Sequence, residues 1–134
     1  MTCLTMRFPS VLLIAFVLAA APAAADFKEG IEAVKRGDYE AAFSEFEPLA
    51  EQGQAQSQYN IGIMYQHGRG VEKDLELAIS WYTKAADQGH PGALNNLGAM
   101  YRSGDGVERD YRTAVRLFKK AAGKLHLARY NLAS

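Results

Sequence analysis

Cysteine is almost missing from this chain, with one, Cys3, in 134 residues. A lone thiol near the start excludes an internal disulfide and a thiolate-rich metal centre, so side-chain packing must hold the fold. Proline is sparse as well, with four in all, which leaves long stretches free to be helical. Charge of one sign is also lacking: 15 basic and 15 acidic residues cancel at pH 7. A balanced total gives no support to binding nucleic acid or an anionic membrane through bulk charge. Only three histidines occur, His67, His90 and His126. They form no His-x3-His pair and stand in no recognised order with a serine and an acid. Neither a metal site nor a catalytic triad is expected, and no cofactor is implied.

Long apolar runs are confined to Val11 through Ala20. Arg7 stands ahead of that run, and Ala23-Ala24-Ala25 follows with the small residues a signal peptidase reads. The run is well short of the roughly 20 residues of a membrane span and fits the core of a signal peptide. Residues 1–25 are therefore predicted to be a signal peptide cleaved before Asp26, with Met6 as an alternative start and a retained anchor as the competing reading. Cys3 precedes the apolar core and cannot serve as a lipoprotein acceptor. The expected location of 26–134 is the bacterial periplasm or the exterior.

What the rest of the chain has is a repeat. Gly62, Tyr65, Gly68, Gly70, Val71, Glu72, Asp74, Ala78, Lys84, Ala85 and Ala86 recur 36 residues later as Gly98, Tyr101, Gly104, Gly106, Val107, Glu108, Asp110, Ala114, Lys120, Ala121 and Ala122. A period in the thirties points to stacked units, each burying its apolar face against its neighbours. Each unit reads as two helices around a Gly-x-Gly-Val turn. Asp74 and Asp110 are placed to cap the second helix, whose apolar residues fall at spacings of three and four. Gly68-Arg69-Gly70 and Gly104-Asp105-Gly106 follow helices and lack a lysine-serine pair, so they are turns and not phosphate loops.

An upstream copy places Asp38, Ala42, Phe46, Ala50 and Gly53 36 residues before Asp74, Ala78, Tyr82, Ala86 and Gly89. Its two helices join through Arg36-Gly37 alone. Breaks are predicted near 36–38, 52–55, 68–73, 88–91 and 104–109. A last partial copy brings Asn131 onto Asn96 and Asn60, predicting a short final helix over 125–134 that docks back on 110–122 as a cap. Tyr65, Trp81, Tyr82, Tyr101 and Phe118 repeat at core spacing.

Leu97-Gly98-x-x-Tyr101-x-x-Gly104-x-Gly106-Val107-x-x-Asp110, followed by Ala114 and Lys120-Ala121-Ala122, resembles the Sel1-like repeat, a relative of the tetratricopeptide repeat. The match is strong over 55–122, where Trp81-Tyr82 fits the aromatic pair of the second helix. It weakens over 26–54 and 123–134. The resemblance implies an all-α fold, an α/α right-handed solenoid of helix-turn-helix repeats. Its units would be about 26–54, 55–90 and 91–124, with a partial cap at 125–134.

In solenoids of this kind the first helix of each hairpin lines the concave face. The resemblance therefore implies a groove built from Tyr59, Asn60, Ile63, Gln66 and His67, then Asn95, Asn96, Ala99, Arg102 and Ser103, then Tyr130 and Asn131. Asn60, Asn96 and Asn131 would form an amide ladder able to donate and accept along an extended peptide, while Tyr59 and Tyr130 add flat apolar area. Alternatively each asparagine bonds its own helix or the next unit and fixes the stacking. The function expected is an exported, non-enzymatic adaptor that binds a protein or peptide partner in the cell envelope. The other reading, an accessory or enzyme acting on peptidoglycan or β-lactam-like ligands, follows from the resemblance alone.

Charge is distributed unevenly despite its zero sum. Residues 26–108 carry 7 basic and 14 acidic side chains, whereas 109–134 carry 7 basic ones and only Asp110. Such an end is either a solvated helix face or a dock for an acidic partner or a neighbouring copy.

Overall fold

The computed structural model describes the backbone of residues 24–132 and the side chains through 126, so the signal-peptide segment up to residue 23 lies outside the described residues. Six helices follow in order: α1 (Phe27–Arg36), α2 (Tyr39–Glu51), α3 (Ala55–His67), α4 (Leu75–Asp87), α5 (Pro91–Ser103) and α6 (Tyr111–Leu132). No strand occurs among the described residues. Extensive packing joins each helix only to the one before and the one after, as a one-dimensional stack requires. The breaks between helices fall where the sequence predicts all five.

Each second helix starts on an aspartate. The carboxylates of Asp38, Asp74 and Asp110 accept from the backbone amides of Ala41, Leu77 and Thr113 at 3.1, 2.9 and 3.1 Å. These amides have no partner within the helix, and the caps supply one. Asp110 also accepts from the Thr113 hydroxyl at 2.7 Å, and these bonds hold its carboxyl below the usual carboxylate range. Asp26 caps α1 in the same way through Lys28.

Close packing inside each hairpin depends on one glycine. A Cβ at Gly30, Gly62 or Gly98 would stand 2.5, 2.6 or 2.9 Å from the ring of Phe46, Tyr82 or Phe118. The bare backbone of the first helix thus forms the seat for an aromatic ring of the second. In the turns, Gly70 and Gly106 have φ of 72° and 69° and press on the start of the preceding unit's second helix, at Tyr39 and Leu75. Both requirements, positive φ and close approach, exclude a side chain there.

The core forms two linked clusters. One gathers Ala33, Ala42, Phe46, Ala50, Ile61 and Met64; the other gathers Ala78, Tyr82, Ala85, Ala86, Ala93, Leu94, Leu97, Met100 and Ala121. Tyr65 packs against both. Trp81 is half-buried against the first cluster, with the Lys84 ammonium 4.0 Å from its ring centroid.

The separate terminal helix expected over 125–134 does not form, because α6 continues unbroken from Tyr111 to Leu132. Gly89, at φ 82°, lets the chain leave α4, but the equivalent position is Leu125, where a left-handed turn is disfavoured by roughly 1–2 kcal/mol. A single helix cannot fold back over its own 110–122 segment, so the cap is replaced by an extension.

Candidate functional site

The first helices α1, α3 and α5 carry two centres that occupy equivalent places in successive units. The centre between α3, α4 and α5 is a linear polar chain. Tyr82 is fully buried, its hydroxyl donates to Gln66 Oε1 at 2.6 Å, and it accepts from Asn96 Nδ2 at 3.2 Å. Burial pushes the phenol up to about 12, so the hydroxyl keeps its proton and remains a donor. One side chain thus ties three helices together.

The equivalent centre between α1, α2 and α3 has lost that chain. Asn60 stands where Asn96 does and Phe46 where Tyr82 does. Counting from Gly30 against Gly62, Val34 takes the place of Gln66. With no hydroxyl at Phe46, the Nδ2 of Asn60 is buried and unpaired among the described residues. Beside it opens a cleft of about 180 Å³, lined by Ile31, Val34, Phe46, Ile63 and Met64, with Tyr39 and Arg69 at its edge. The Arg69 guanidinium lies 5.4 Å from the centroid of the Tyr39 ring.

The sequence-predicted groove residues divide by environment. Asn95, Arg102, Ser103 and His67 are exposed. Arg102 lies over the Phe118 ring at 5.7 Å, and Ser103 bonds the Ala99 carbonyl and the Asp105 carboxylate. Ala99 and Ile63 are half-buried, while Gln66 and Asn96 are both bonded to Tyr82. Tyr59 is stacked on His90 with ring centroids 4.5 Å apart and fills the space beside Gly92. The side chains of Tyr130 and Asn131 lie outside the described residues. An unbroken amide ladder is therefore not what the described part builds: Asn96 is engaged in packing, and the Asn60 Nδ2 is the one buried side-chain donor left without a partner among the described residues.

Two features escaped the sequence reading. His90 caps α5, accepting from the Ala93 amide at Nδ1 (3.1 Å), while its Nε2 lies 2.8 Å from Gln56 Oε1. Pro91 at the first helical position was the available signal for a cap there. Buried Gln58 bonds the Ala50 carbonyl, and Gln88 donates to Gln58 Oε1 and the Gly53 carbonyl, joining the loops between units. At the far end, exposed Tyr111 and Val115 with Arg112, Arg116 and Lys119 surround a shallow depression on α6.

A row of hairpins stacked through their neighbours, with side chains offered along the first helices, is a helical-repeat scaffold of a kind suited to protein–protein interaction. The Sel1 repeat model matches twice, at residues 55–90 and 91–124, and the chain belongs to the Sel1 repeat family. A Sel1 repeat protein from Oxalobacter formigenes is 38% identical with a TM-score of 0.70; the match covers 74% of this chain and 41% of that one. The c5321 protein, a protective antigen present in uropathogenic Escherichia coli strains, displays an SLR fold; it is 32% identical with a TM-score of 0.70, over 73% of this chain and 22% of that one. Among curated proteins, DAP3-binding cell death enhancer 1 of Rattus norvegicus is 50% identical over 46 residues, which are 34% of this chain and 9% of that protein. The chain thus spans only a small part of that relative and less than half of either structure.

Proposed function

We propose that this protein is an exported, non-enzymatic adaptor whose concave face binds a protein or peptide partner in the cell envelope. The observation that carries this reading is the state of the first helices. They hold exposed Asn95 and Arg102 on α5 and an apolar cleft with an unpaired amide donor between α1 and α3. Unsatisfied donors and open apolar walls are what a partner's backbone and side chains would complete. Export rests on the leader's composition. The Asp26 backbone nitrogen donates to Glu45 Oε2 at 2.7 Å. After cleavage before Asp26 a terminal ammonium would keep that contact and strengthen it by charge.

The test is capture from envelope extract, with the Asn95→Ala/Arg102→Ala variant as comparison, both residues being exposed so that the core is left intact. A partner identified by mass spectrometry, recovered as a purified pair and lost with the variant, supports the reading. Capture by both proteins alike, or by neither, overturns it, and release of fragments from purified peptidoglycan would overturn its non-enzymatic part. The mature mass should begin at Asp26.

A further inference from the structure

The two equivalent centres differ in a way that specifies a ligand. Where α3, α4 and α5 meet, Asn96 donates to the Tyr82 hydroxyl and that hydroxyl donates to Gln66, one chain of hydrogen bonds between the helices. Where α1, α2 and α3 meet, the same three places hold Val34, Phe46 and Asn60. Two polar groups are gone, the third keeps its amide, and the vacated room is the cleft of about 180 Å³. The Asn60 Nδ2 is buried with no acceptor among the described residues, an uncommon and unfavourable state for a native donor.

We infer that this cleft receives one aliphatic side chain of an extended peptide, with an acidic residue next to it in the peptide. On binding, the Asn60 side chain turns its buried amide into the cleft, where the peptide's carbonyl oxygen accepts a hydrogen bond from it, the role that the Tyr82 hydroxyl plays for Asn96. Each part of the ligand answers a feature of the cleft. Ile31, Val34, Phe46, Ile63 and Met64 make walls that favour an apolar side chain and disfavour a charged one. The unpaired group is a donor, so its partner must bring an acceptor. Arg69 stands at the edge, exposed, oriented by the Tyr39 ring and without a carboxylate in ion-pair reach among the described residues. A guanidinium so placed selects an anionic neighbour. The inference rests on the reading of the first helices as a binding face and narrows it to the N-terminal half of that face.

The test is a titration of ¹⁵N-labelled protein with the capped peptide acetyl-Gly-Leu-Asp-Gly-amide, following the Asn60 side-chain amide in ¹H–¹⁵N spectra. Those signals should shift saturably, while the exposed Asn95 amide stays in place. Serine in place of the probe's leucine should abolish the shift. Arg69→Ala, or asparagine in place of the probe's aspartate, should weaken binding about threefold, as expected of an exposed ion pair. Phe46→Tyr supplies the missing hydroxyl internally and should weaken binding about tenfold with helical content retained. Val34→Gln fills the cleft from α1 and should do the same, which keeps the test decisive if Phe46→Tyr misfolds. An Asn60 amide that does not respond to the probe, or equal binding by Val34→Gln, overturns the inference. Envelope capture lost through Asn95 and Arg102 alongside a silent Asn60 would remove this inference alone; an Asn60 shift without envelope capture would remove the adaptor reading alone.

Discussion

Single side chains at helix starts decide much of the local order here. Asp74 accepts from the Leu77 amide at 2.9 Å, and Asp74→Ala should cost about 1 kcal/mol, lowering the thermal midpoint by several degrees. An unchanged midpoint would show that the carboxylate has another task. His90 makes a cap that depends on pH. Its Nδ1 must stay unprotonated to accept from Ala93, and burial holds its pKa below the ordinary value of about 6.5. The folded value lies under the unfolded one, so the unfolded chain takes up the proton first as pH falls. Stability is therefore complete above about pH 6.5 and declines below it, through the folded value. His90→Asn keeps a capping side chain without the titration. Its thermal midpoint should be flatter than the wild type's between about pH 6.5 and 5, and parallel curves would refute the assignment. The aspartate caps were legible in the sequence because aspartate before an apolar helical pattern has few other uses. That Asn96 fixes the stacking of neighbouring units was one of the two readings its recurrence allowed; its partner was not legible, since that depends on which ring lies opposite, and Tyr82 and Phe46 look alike to a hydrophobic pattern.

Helices in this molecule differ in what their glycines are for. Gly62→Ala brings a gain in helix propensity of up to about 1 kcal/mol, but its methyl would stand 2.6 Å from the ring of fully buried Tyr82. Overpacking of that kind costs typically about 1–3 kcal/mol, so the clash should win and the variant should be less stable. A methyl at Gly123 would meet nothing within 4 Å among the described residues, and Gly123→Ala should stabilise α6 by up to about 1 kcal/mol. Opposite signs in chemical denaturation are the expected result; the same sign for both would contradict the seat assigned to Tyr82. Helix boundaries were readable wherever a glycine or aspartate marked them. The end of α6 was not, because the pattern of asparagines suggested a new unit while Leu125 withheld the turn that a new unit needs.

Across the whole molecule, stability is distributed between neighbours, so the two ends should respond differently to removal. The first hairpin covers Ile61 and Met64, which are 0% and 3% exposed and belong to one cluster with Phe46 and Ala42. Burying each such side chain contributes about 1.5–3 kcal/mol, so a chain starting at Gln54 would lose several kcal/mol and expose an apolar face. At the other end α6 passes Gly89 near Lys124 and continues as one helix, with Leu125 already half exposed. No further hairpin follows α6 among the described residues, and on deleting 125–134 the thermal midpoint should move by less than about 2 °C. Thermal melts and gel filtration of the two truncations separate the cases: the N-terminal one should melt lower and self-associate, and the C-terminal one should match the full chain. A large loss on deleting 125–134 would mean that the extension is held by contacts beyond the α5–α6 hairpin.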